Sequence, residues 1–186
     1  MNIAIYGGSF DPFHLAHSAV ISHILMNDPN IDKILVVPAF KQSGKNLAPY
    51  HLRYAMCIAV TRYFNRVEVS DVEMGTESLT IETLQKLKQI YPNDSMRFVM
   101  GGDLIDSAKT WDGWKEIERL APPYIVGRAG ISNCEATPIC PLVSSTMIRN
   151  FLKKKNYDAV SRYVCTDVLK IIIENNLYVD KSEQNS

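Results

Sequence analysis

The chain has 186 residues, with 20 Lys and Arg against 20 Asp and Glu, 46% hydrophobic residues and 22% charged residues. A net charge of zero disfavours a nucleic-acid-binding or membrane-surface protein, and the ordinary hydrophobic content disfavours a disordered or fibrous chain. The length favours one domain, which we predict over residues 1–180, followed by a frayed polar tail over 181–186.

The cysteines and the apolar runs indicate the compartment. The four cysteines, Cys57, Cys134, Cys140 and Cys165, form no C-x-x-C pair, which is typical of reduced thiols in the cytoplasm. The apolar run after Met1 reaches Gly7 too soon to form a signal peptide. No apolar run approaches the roughly 20 residues that span a bilayer. We therefore expect a cytoplasmic protein with no membrane partner.

Strand and helix patterns alternate through the first half of the chain. In chain order, we predict strand 2–6, helix 15–26, strand 32–37, helix 52–64, strand 66–72 and helix 81–91. The first strand is predicted to stop at Gly7 and Gly8. The clearest helix has apolar residues at i, i+3, i+4, i+7, i+8, i+11 and i+12, namely Leu52, Ala55, Met56, Ala59, Val60, Tyr63 and Phe64.

The second half continues the alternation and closes with helices. We predict strand 96–100, helix 114–120, strand 124–126, and helices 145–154 and 167–175. The order predicts an α/β fold, a doubly wound, mostly parallel sheet of Rossmann-like topology with C-terminal helices. Because ligands bind beyond the carboxyl ends of such strands, the segments that follow strands are the candidate sites.

The first such segment, residues 7–17, reads Gly-Gly-Ser-Phe-Asp-Pro-Phe-His-Leu-Ala-His. The glycines let a ligand approach the backbone, and the start of the following helix attracts phosphate. His14 and His17 lie on one side of its first turn and can each donate to a phosphate oxygen. Alternatively, they are surface residues, a capping pair, or two metal ligands without a third nearby. The segment has neither a Walker A lysine nor a G-x-G-x-x-G pattern.

Several segments together resemble one known family. Residues 8–17 resemble the G-x-F-x-P-x-H-x-x-H loop of the nucleotidyltransferase superfamily, and residues 143–149, V-S-S-T-M-I-R, resemble its second signature, I-S-S-T-x-I-R. Residues 78–84, the Gly-Gly-Asp turn at 101–103 and the W-x-x-W at 111–114 are similar to stretches of the bacterial nicotinate-nucleotide adenylyltransferase family. The resemblance runs from residue 1 to about residue 178.

The resemblance implies an adenylyl transfer in NAD biosynthesis. The phosphate of nicotinate mononucleotide attacks the α-phosphorus of ATP, which gives deamido-NAD and pyrophosphate without a covalent enzyme intermediate. Since the acceptor is already an oxyanion, catalysis reduces to alignment and charge stabilisation. We expect Mg²⁺ to arrive with ATP and to keep mostly phosphate and water ligands. No protein metal ligand and no tightly bound organic cofactor are expected.

The resemblance also implies which residues bind ATP. His14, His17 and Arg149 are the expected catalytic residues, and all three contact the ATP phosphates. Ser145 and Thr146 donate to the β- and γ-phosphates from the start of their helix. The other expected ATP-binding residues are Gly8, Ser9, Phe10, Gly101 and Asp103, with Gly8 and Ser9 acting through their backbone and Asp103 on the ribose hydroxyls. By themselves, residues 144–146 are also consistent with a helix N-cap, and Asp103 with the cap of the next helix.

The acceptor side departs from the family pattern. Trp111 offers a flat face for a pyridine ring, and backbone N–H groups near Leu79 and Thr80 suit the nicotinate carboxylate. The family usually has Tyr where Leu79 stands. Its loop after the second strand usually reads P-P-H-K, so we expect Lys41 or Lys45 to replace the missing histidine as a point charge. Alternatively, Trp111 and its neighbour three residues on simply pack a short helix.

Three alternatives to this function stay open. In the first, the acceptor is nicotinamide mononucleotide, which requires a pocket that meets an amide. In the second, the acceptor is phosphopantetheine or a sugar or polyol phosphate. Residues 78–84 and 111–114 weigh against the last group, because those smaller relatives lack them. A catalytically silent, nucleotide-binding regulatory domain is disfavoured by the intact His14, His17 and Arg149. The partners expected are ATP and a mononucleotide, with no nucleic acid, and the protein itself is expected to be a monomer or a homodimer.

Overall fold

The computed structural model describes residues 1–128, 138–140 and 142–179. Within these ranges, six strands form a sheet in the order β3-β2-β1-β4-β5-β6. The strands are β1 (Asn2–Gly8), β2 (Lys33–Pro38), β3 (Val67–Val69), β4 (Ser95–Gly101), β5 (Pro123–Arg128) and β6 (Pro138–Cys140). Every pairing between them is parallel. The predicted tail at 181–186 and the side chains of Cys134 and Cys140 lie outside this description.

Helices connect and flank the strands. They are α1 (Leu15–Asn27), α2 (Tyr50–Thr61), α3 (Thr80–Ile90), α4 (Ile105–Ala108), α5 (Trp114–Leu120), α6 (Ser145–Lys153), α7 (Tyr157–Ser161) and α8 (Thr166–Glu174), with a 3₁₀ turn at Gly102–Leu104. In the described part of the chain, no helix combines the length and the apolar character that a bilayer crossing requires.

The two faces of the sheet are covered by different helices. Alternate side chains of β1 point to opposite faces, so Ala4 and Tyr6 pack in one apolar cluster and Ile3 and Ile5 in the other. The first cluster includes buried residues of α1, α2, α6, α7 and α8, and the second includes residues of α3 and α5. The predicted α/β fold, a parallel sheet with helices on both faces, is therefore confirmed.

The order of the strands determines where the crevice lies. From β1 the chain proceeds outward through β2 and β3, then returns to the other side of β1 with β4. The direction of winding reverses between β1 and β4, and such a reversal opens a crevice beyond the carboxyl ends of the two strands. Those ends are Gly8 and Gly101.

Several predicted boundaries were wrong. β1 does not stop before Gly7, because Gly7 and Gly8 still pair with Val37 and Pro38 of β2. β3 spans three residues, where seven were predicted over 66–72. β6 and α7 were not predicted.

The apolar face of α2 is also rotated from its predicted position. The helix ends at Thr61, and Tyr63 is 69% exposed rather than part of the core. Arg53 and Cys57 lie on the buried face beside Met56. A face that contains an arginine is not identified by apolar periodicity, which explains the error.

Candidate active site

The loop between β1 and α1 rests on a buried aromatic ring. Phe10 is 1% exposed, with its ring centroid 5.4 Å from that of Tyr6 and 5.3 Å from that of Phe13. A Cβ on Gly8 would lie 3.1 Å from Cζ of Phe10, so glycine leaves room for the ring. Phe10 was predicted to bind ATP. Its side chain lies in the core, so a nucleotide could meet only its backbone.

The two histidines form a stacked pair at the start of α1. His14 is the N-cap residue and is 5% exposed, and its ring lies 3.8 Å from that of His17 between centroids. The backbone N–H of His14 donates to Nδ1 of His17 over 3.1 Å. Because Nδ1 of His17 accepts, the neutral form of its ring carries the proton on Nε2, and Nε2 is then a hydrogen-bond donor. The capping and phosphate-binding interpretations of the pair are therefore compatible.

The start of α6 touches the β1–α1 loop directly. Ser145 Oγ donates to the carbonyl of Pro12 over 3.1 Å, and Arg149 Nη1 donates to the carbonyl of Asp11 over 2.6 Å. These partners are 133 and 138 residues apart in the sequence. The two signatures that carried the family resemblance thus lie side by side at the crevice.

Within α6, capping and ligand-facing roles fall on different residues. Ser144 is the N-cap, and its hydroxyl accepts the N–H of Met147 over 3.2 Å. Ser145 and Thr146 occupy the first two helical positions, and Thr146 Oγ1 accepts from Arg149 Nη2 over 3.0 Å. The N-cap interpretation therefore holds for Ser144 and leaves the next two residues at the positive end of the helix dipole.

Gly101 and Asp103 form a second built feature of the same edge. The backbone at residue 101 has φ −69°, which any residue can adopt, so its conformation does not require glycine. A Cβ placed there would overlap Oδ1 of Asp103. Glycine at 101 therefore makes room for the carboxylate, which stands just past the carboxyl end of β4. Asp103 lies inside the 3₁₀ turn, whose N-cap is Gly101, so the helix-cap interpretation of Asp103 is wrong.

A cavity of about 610 Å³ lies beside the loop that follows β2. Three of the predicted acceptor residues, Lys41, Lys45 and Leu79, line it, as do Tyr50 and Arg53. Thr80 begins α3 immediately after Leu79, so the N-terminal end of α3 stands at the cavity wall. Trp111 does not line this cavity.

The two lysines differ in their surroundings. Lys41 Nζ forms an ion pair with the carboxylate of Glu77. The loop is fixed further by Ser78 Oγ, which accepts the backbone N–H groups of Phe40 and Lys41 over 2.8 and 3.1 Å. Lys45 lines the same cavity and forms no ion pair with the residues that the structure describes. Lys45 is therefore the better placed of the two to meet an anionic ligand.

Trp111 packs in the second apolar cluster. Its ring meets those of Phe98 and Trp114 edge-on, each at 6.3 Å between centroids. Both tryptophans therefore pack against this cluster, with Trp111 before α5 rather than in it, and stacking of a pyridine ring on Trp111 stays a prediction.

Arg53 is a residue of the site that the sequence did not reveal. Its side chain is 1% exposed, and its guanidinium donates to the backbone carbonyls of Ser9, Ala39, Phe40 and Ala48. Burial lowers the pKa of Arg53, while the nearby Asp11 carboxylate raises it. Arg53 thereby joins the β1–α1 loop to the loop after β2. The feature of the sequence that could have revealed Arg53 is the presence of a cation within the apolar face of α2.

The metal-ligand interpretation of the histidines gains no support from the described residues. Among residues 1–128, 138–140 and 142–179, no group of three or more His, Cys, Asp or Glu side chains is placed to hold a metal ion.

Comparison with known proteins gives consistent results. The family model described as cytidylyltransferase-like matches residues 5–151. A Fusobacterium nucleatum protein named "probable nicotinate-nucleotide adenylyltransferase" is 35% identical, covering 97% of this chain and 100% of its own. A Campylobacter fetus protein of the same name is 32% identical, covering 95% and 99% of the two chains.

Solved structures agree with these relatives. Plasmodium falciparum nicotinic acid mononucleotide adenylyltransferase in complex with NaAD superposes with a TM-score of 0.75 at 26% identity, covering 95% of this chain and 97% of that one. The same enzyme in complex with APC gives a TM-score of 0.72 at 25% identity, covering 95% and 96%.

Proposed function

The chain belongs to the cytidylyltransferase-like family, and we propose that it transfers the adenylyl group of ATP to nicotinate mononucleotide in NAD biosynthesis. The products are the deamido dinucleotide, NaAD, and pyrophosphate. The bacterial relatives are named for this activity, and they align with at least 95% of this chain and 99% of their own lengths. The proposal therefore concerns the chain as a whole.

The observation that carries the proposal is the contact between the β1–α1 loop and the start of α6. Arg149 donates to Asp11, and Ser145 donates to Pro12. His17 Nε2–H and the N-terminal N–H groups of α6 can therefore bind different phosphates of one ATP molecule. A helix N-terminus is a favourable site for phosphate because its first N–H groups lack helical partners.

The chemistry needs no protein nucleophile. An oxygen of the acceptor phosphate forms a bond to the α-phosphorus of ATP, and the bond from that phosphorus to the bridging oxygen breaks. The electron pair leaves with pyrophosphate. Arg149 and the N–H groups of Ser145 and Thr146 stabilise the charge that develops on the leaving group, while His14 and His17 hold the phosphates in line.

The remaining ATP contacts follow the edge of the sheet. The Asp103 carboxylate, which occupies the space beside Gly101, accepts hydrogen bonds from the ribose hydroxyls. The backbone at Gly8, Ser9 and Phe10 borders the nucleotide. Mg²⁺ enters as the ATP complex and is held mainly by phosphate and water. The protein acts on small molecules, without nucleic acid, as a monomer or a homodimer.

The charge of the acceptor cavity favours nicotinate over nicotinamide. Lys41, Lys45 and Arg53 line it together with one carboxylate, that of Glu77. A carboxylate-bearing pyridine nucleotide gains more from this excess of positive charge than the uncharged amide does. The N–H groups at the start of α3, next to Leu79 and Thr80, suit the same carboxylate.

One assay tests the proposal against its alternatives. Pyrophosphate release is measured with Mg²⁺–ATP and, in turn, nicotinate mononucleotide, nicotinamide mononucleotide and phosphopantetheine. We expect kcat/KM for the nicotinate nucleotide to exceed that for the nicotinamide nucleotide by about tenfold or more. Equal values, or turnover of phosphopantetheine, would contradict the acceptor. ATP binding without pyrophosphate release from any acceptor would indicate the silent regulatory domain instead.

A further inference from the structure

The turn after α8 reverses the chain toward the active-site loop. Asn176 has φ 48°, and its N–H donates to the carbonyl of Ile173 over 3.1 Å, while Leu177 N–H donates to that of Ile172 over 3.0 Å. These two bonds define a Schellman motif with Asn in the left-handed position. Leu177 is 8% exposed and packs in the first apolar cluster. The motif thus anchors the backbone that carries Tyr178.

Tyr178 reaches a buried carboxylate in the β1–α1 loop. Its hydroxyl donates to Oδ1 of Asp11 over 2.7 Å, and the same oxygen accepts the N–H of Ala48 over 3.2 Å. Asp11 is 3% exposed. Burial and the Asp11 carboxylate raise the pKa of Tyr178, so the hydroxyl keeps its proton and remains a donor.

Asp11 offers Arg149 two competing acceptors. Arg149 Nη1 lies 2.6 Å from the backbone carbonyl of Asp11 and 3.7 Å from its carboxylate Oδ2. Nη2 donates to Thr146, and the Arg149 side chain remains 29% exposed, so a ligand can still reach the guanidinium. Without the Tyr178 hydroxyl, Oδ1 would keep the longer bond from Ala48 N–H, and a carboxylate held less tightly could turn to form a closer pair with Arg149 and draw its charge away from the crevice.

We infer that Tyr178 is a positioning residue for the adenylyl transfer, which acts on Arg149 through Asp11. By holding Oδ1, its hydroxyl keeps the carboxylate at the longer distance and leaves the guanidinium on the backbone carbonyl, where it can meet phosphate. This inference rests on the proposed function. It adds a residue from the turn after α8, 29 positions beyond Arg149 in the sequence, to the apparatus of the site.

The first test removes only the hydroxyl. Tyr178→Phe keeps the ring, and we expect kcat to fall about tenfold while KM for the acceptor nucleotide stays within about twofold of wild type. The control is Tyr63→Phe, which removes a hydroxyl that also donates to an aspartate, Asp167, but on the exposed surface. We expect wild-type kinetics from the control. Each kcat is divided by the fraction of folded protein, which is measured by thermal unfolding. If the lower kcat of Tyr178→Phe returns to the wild-type value after this correction, the inference is overturned.

The decisive test is a double-mutant cycle with Arg149→Ala. If Tyr178 acts through Arg149, Tyr178→Phe changes the residual rate of Arg149→Ala by less than about twofold. An equal fall in both backgrounds, or no fall in the wild-type background, would overturn the inference while the proposed function stands. Failure of the proposed function looks different, because the wild-type protein then releases no pyrophosphate, and the positioning role is lost with it.

Discussion

His17, a proposed catalytic residue, is positioned by one backbone hydrogen bond and two aromatic rings. Its Nδ1 accepts from His14 N–H, and its ring is held edge-on by Phe10 and Phe13 at 4.9 and 5.1 Å. The hydrogen bond to Nδ1 selects the tautomer of the neutral ring, and the aromatic contacts hold the ring in place before any ligand binds. This preorganisation is what makes a hydrogen-bond donor effective in a transition state.

We expect His17→Ala, and separately His14→Ala, to lower kcat by a factor of about 10² or more, since one such donor contributes about 3 kcal/mol. The measurement is steady-state pyrophosphate release. His23→Ala is the matched control, because His23 lies on the same helix and bonds only to Asn27 among the contacts that are described. Near-normal turnover in both active-site variants would exclude their catalytic role.

Gly101 offers a test of Asp103 that leaves the carboxylate itself in place. We expect Gly101→Ala to raise KM for ATP about tenfold, because the new Cβ displaces Oδ1 of Asp103 from its position beside the strand. Gly7→Ala is the control, since its Cβ would lie at an ordinary 3.7 Å from Phe98. An unchanged KM for ATP in Gly101→Ala would remove Asp103 from the nucleotide site.

Single residues were predictable from the sequence where a local pattern expresses their role. The spacing of His14 and His17 and the cap at Ser144 are visible in a few neighbouring letters. Arg53, Asp11 and Tyr178 are different, because each owes its importance to partners far along the chain, such as the 167 positions between Asp11 and Tyr178. Local spacing contains no information about such contacts.

Among the elements, the loop after β2 lines the cavity that we propose for the acceptor. It is attached to the segment before α3 by Ser78 and the Lys41–Glu77 pair, and to α2 by Arg53. An exposed ion pair contributes little by itself. The two backbone bonds to Ser78 Oγ and the buried guanidinium therefore provide most of the attachment. Lys41 therefore helps to support the loop, and we propose that Lys45 contacts the ligand.

This division of labour predicts unequal effects of the two lysines. We expect Lys45→Ala to raise KM for the acceptor nucleotide about tenfold, through loss of a charge-assisted contact to phosphate. Lys41→Ala should raise it less, because Glu77 already engages that charge. Neither variant should alter KM for ATP. A larger effect at Lys41 would reverse the assignment.

Element boundaries were harder to predict than element types. The glycines that suggested the end of β1 remain paired, because β2 extends alongside them as far as Pro38. The short β3 and α7 are set by tertiary packing, since three to five residues give too weak a pattern for periodicity. The Asn-Asn-Leu-Tyr turn after α8 is itself a C-cap signal, because Asn is one of the residues that adopt the left-handed position after a helix.

For the whole molecule, Arg53 links two loops from neighbouring strands to a helix. We expect Arg53→Ala to lower the free energy of unfolding by about 3–5 kcal/mol, because it leaves buried backbone carbonyls without their donor and removes one of the cations near the Asp11 carboxylate. Chemical denaturation monitored by circular dichroism measures this change. Arg62→Ala, at the C-cap of the same helix, removes exposed contacts with Asp167 and Tyr63 and should have little effect. Similar losses in both variants would show that Arg53 has no special structural role.

The fold as a whole was predictable because strand and helix alternate with clear periods, and parallel connections leave few topologies. The sequence also placed the glycine-rich ends of β1 and β4 at the carboxyl edge, where ligands bind. What it could not give is the distance between the β1–α1 loop and the start of α6. That distance depends on how α6 packs, and α6 is separated from the β1–α1 loop by most of the chain, including β5 and β6.

The central claim is that one triphosphate is shared by these two elements. A crystal structure with a non-hydrolysable ATP analogue tests it most directly. We expect phosphate oxygens within about 3.2 Å of both His17 Nε2 and the N–H groups of Ser145 and Thr146, in a single bound molecule. A triphosphate that contacts only one of these elements, with the other facing a separate cavity, would contradict the account.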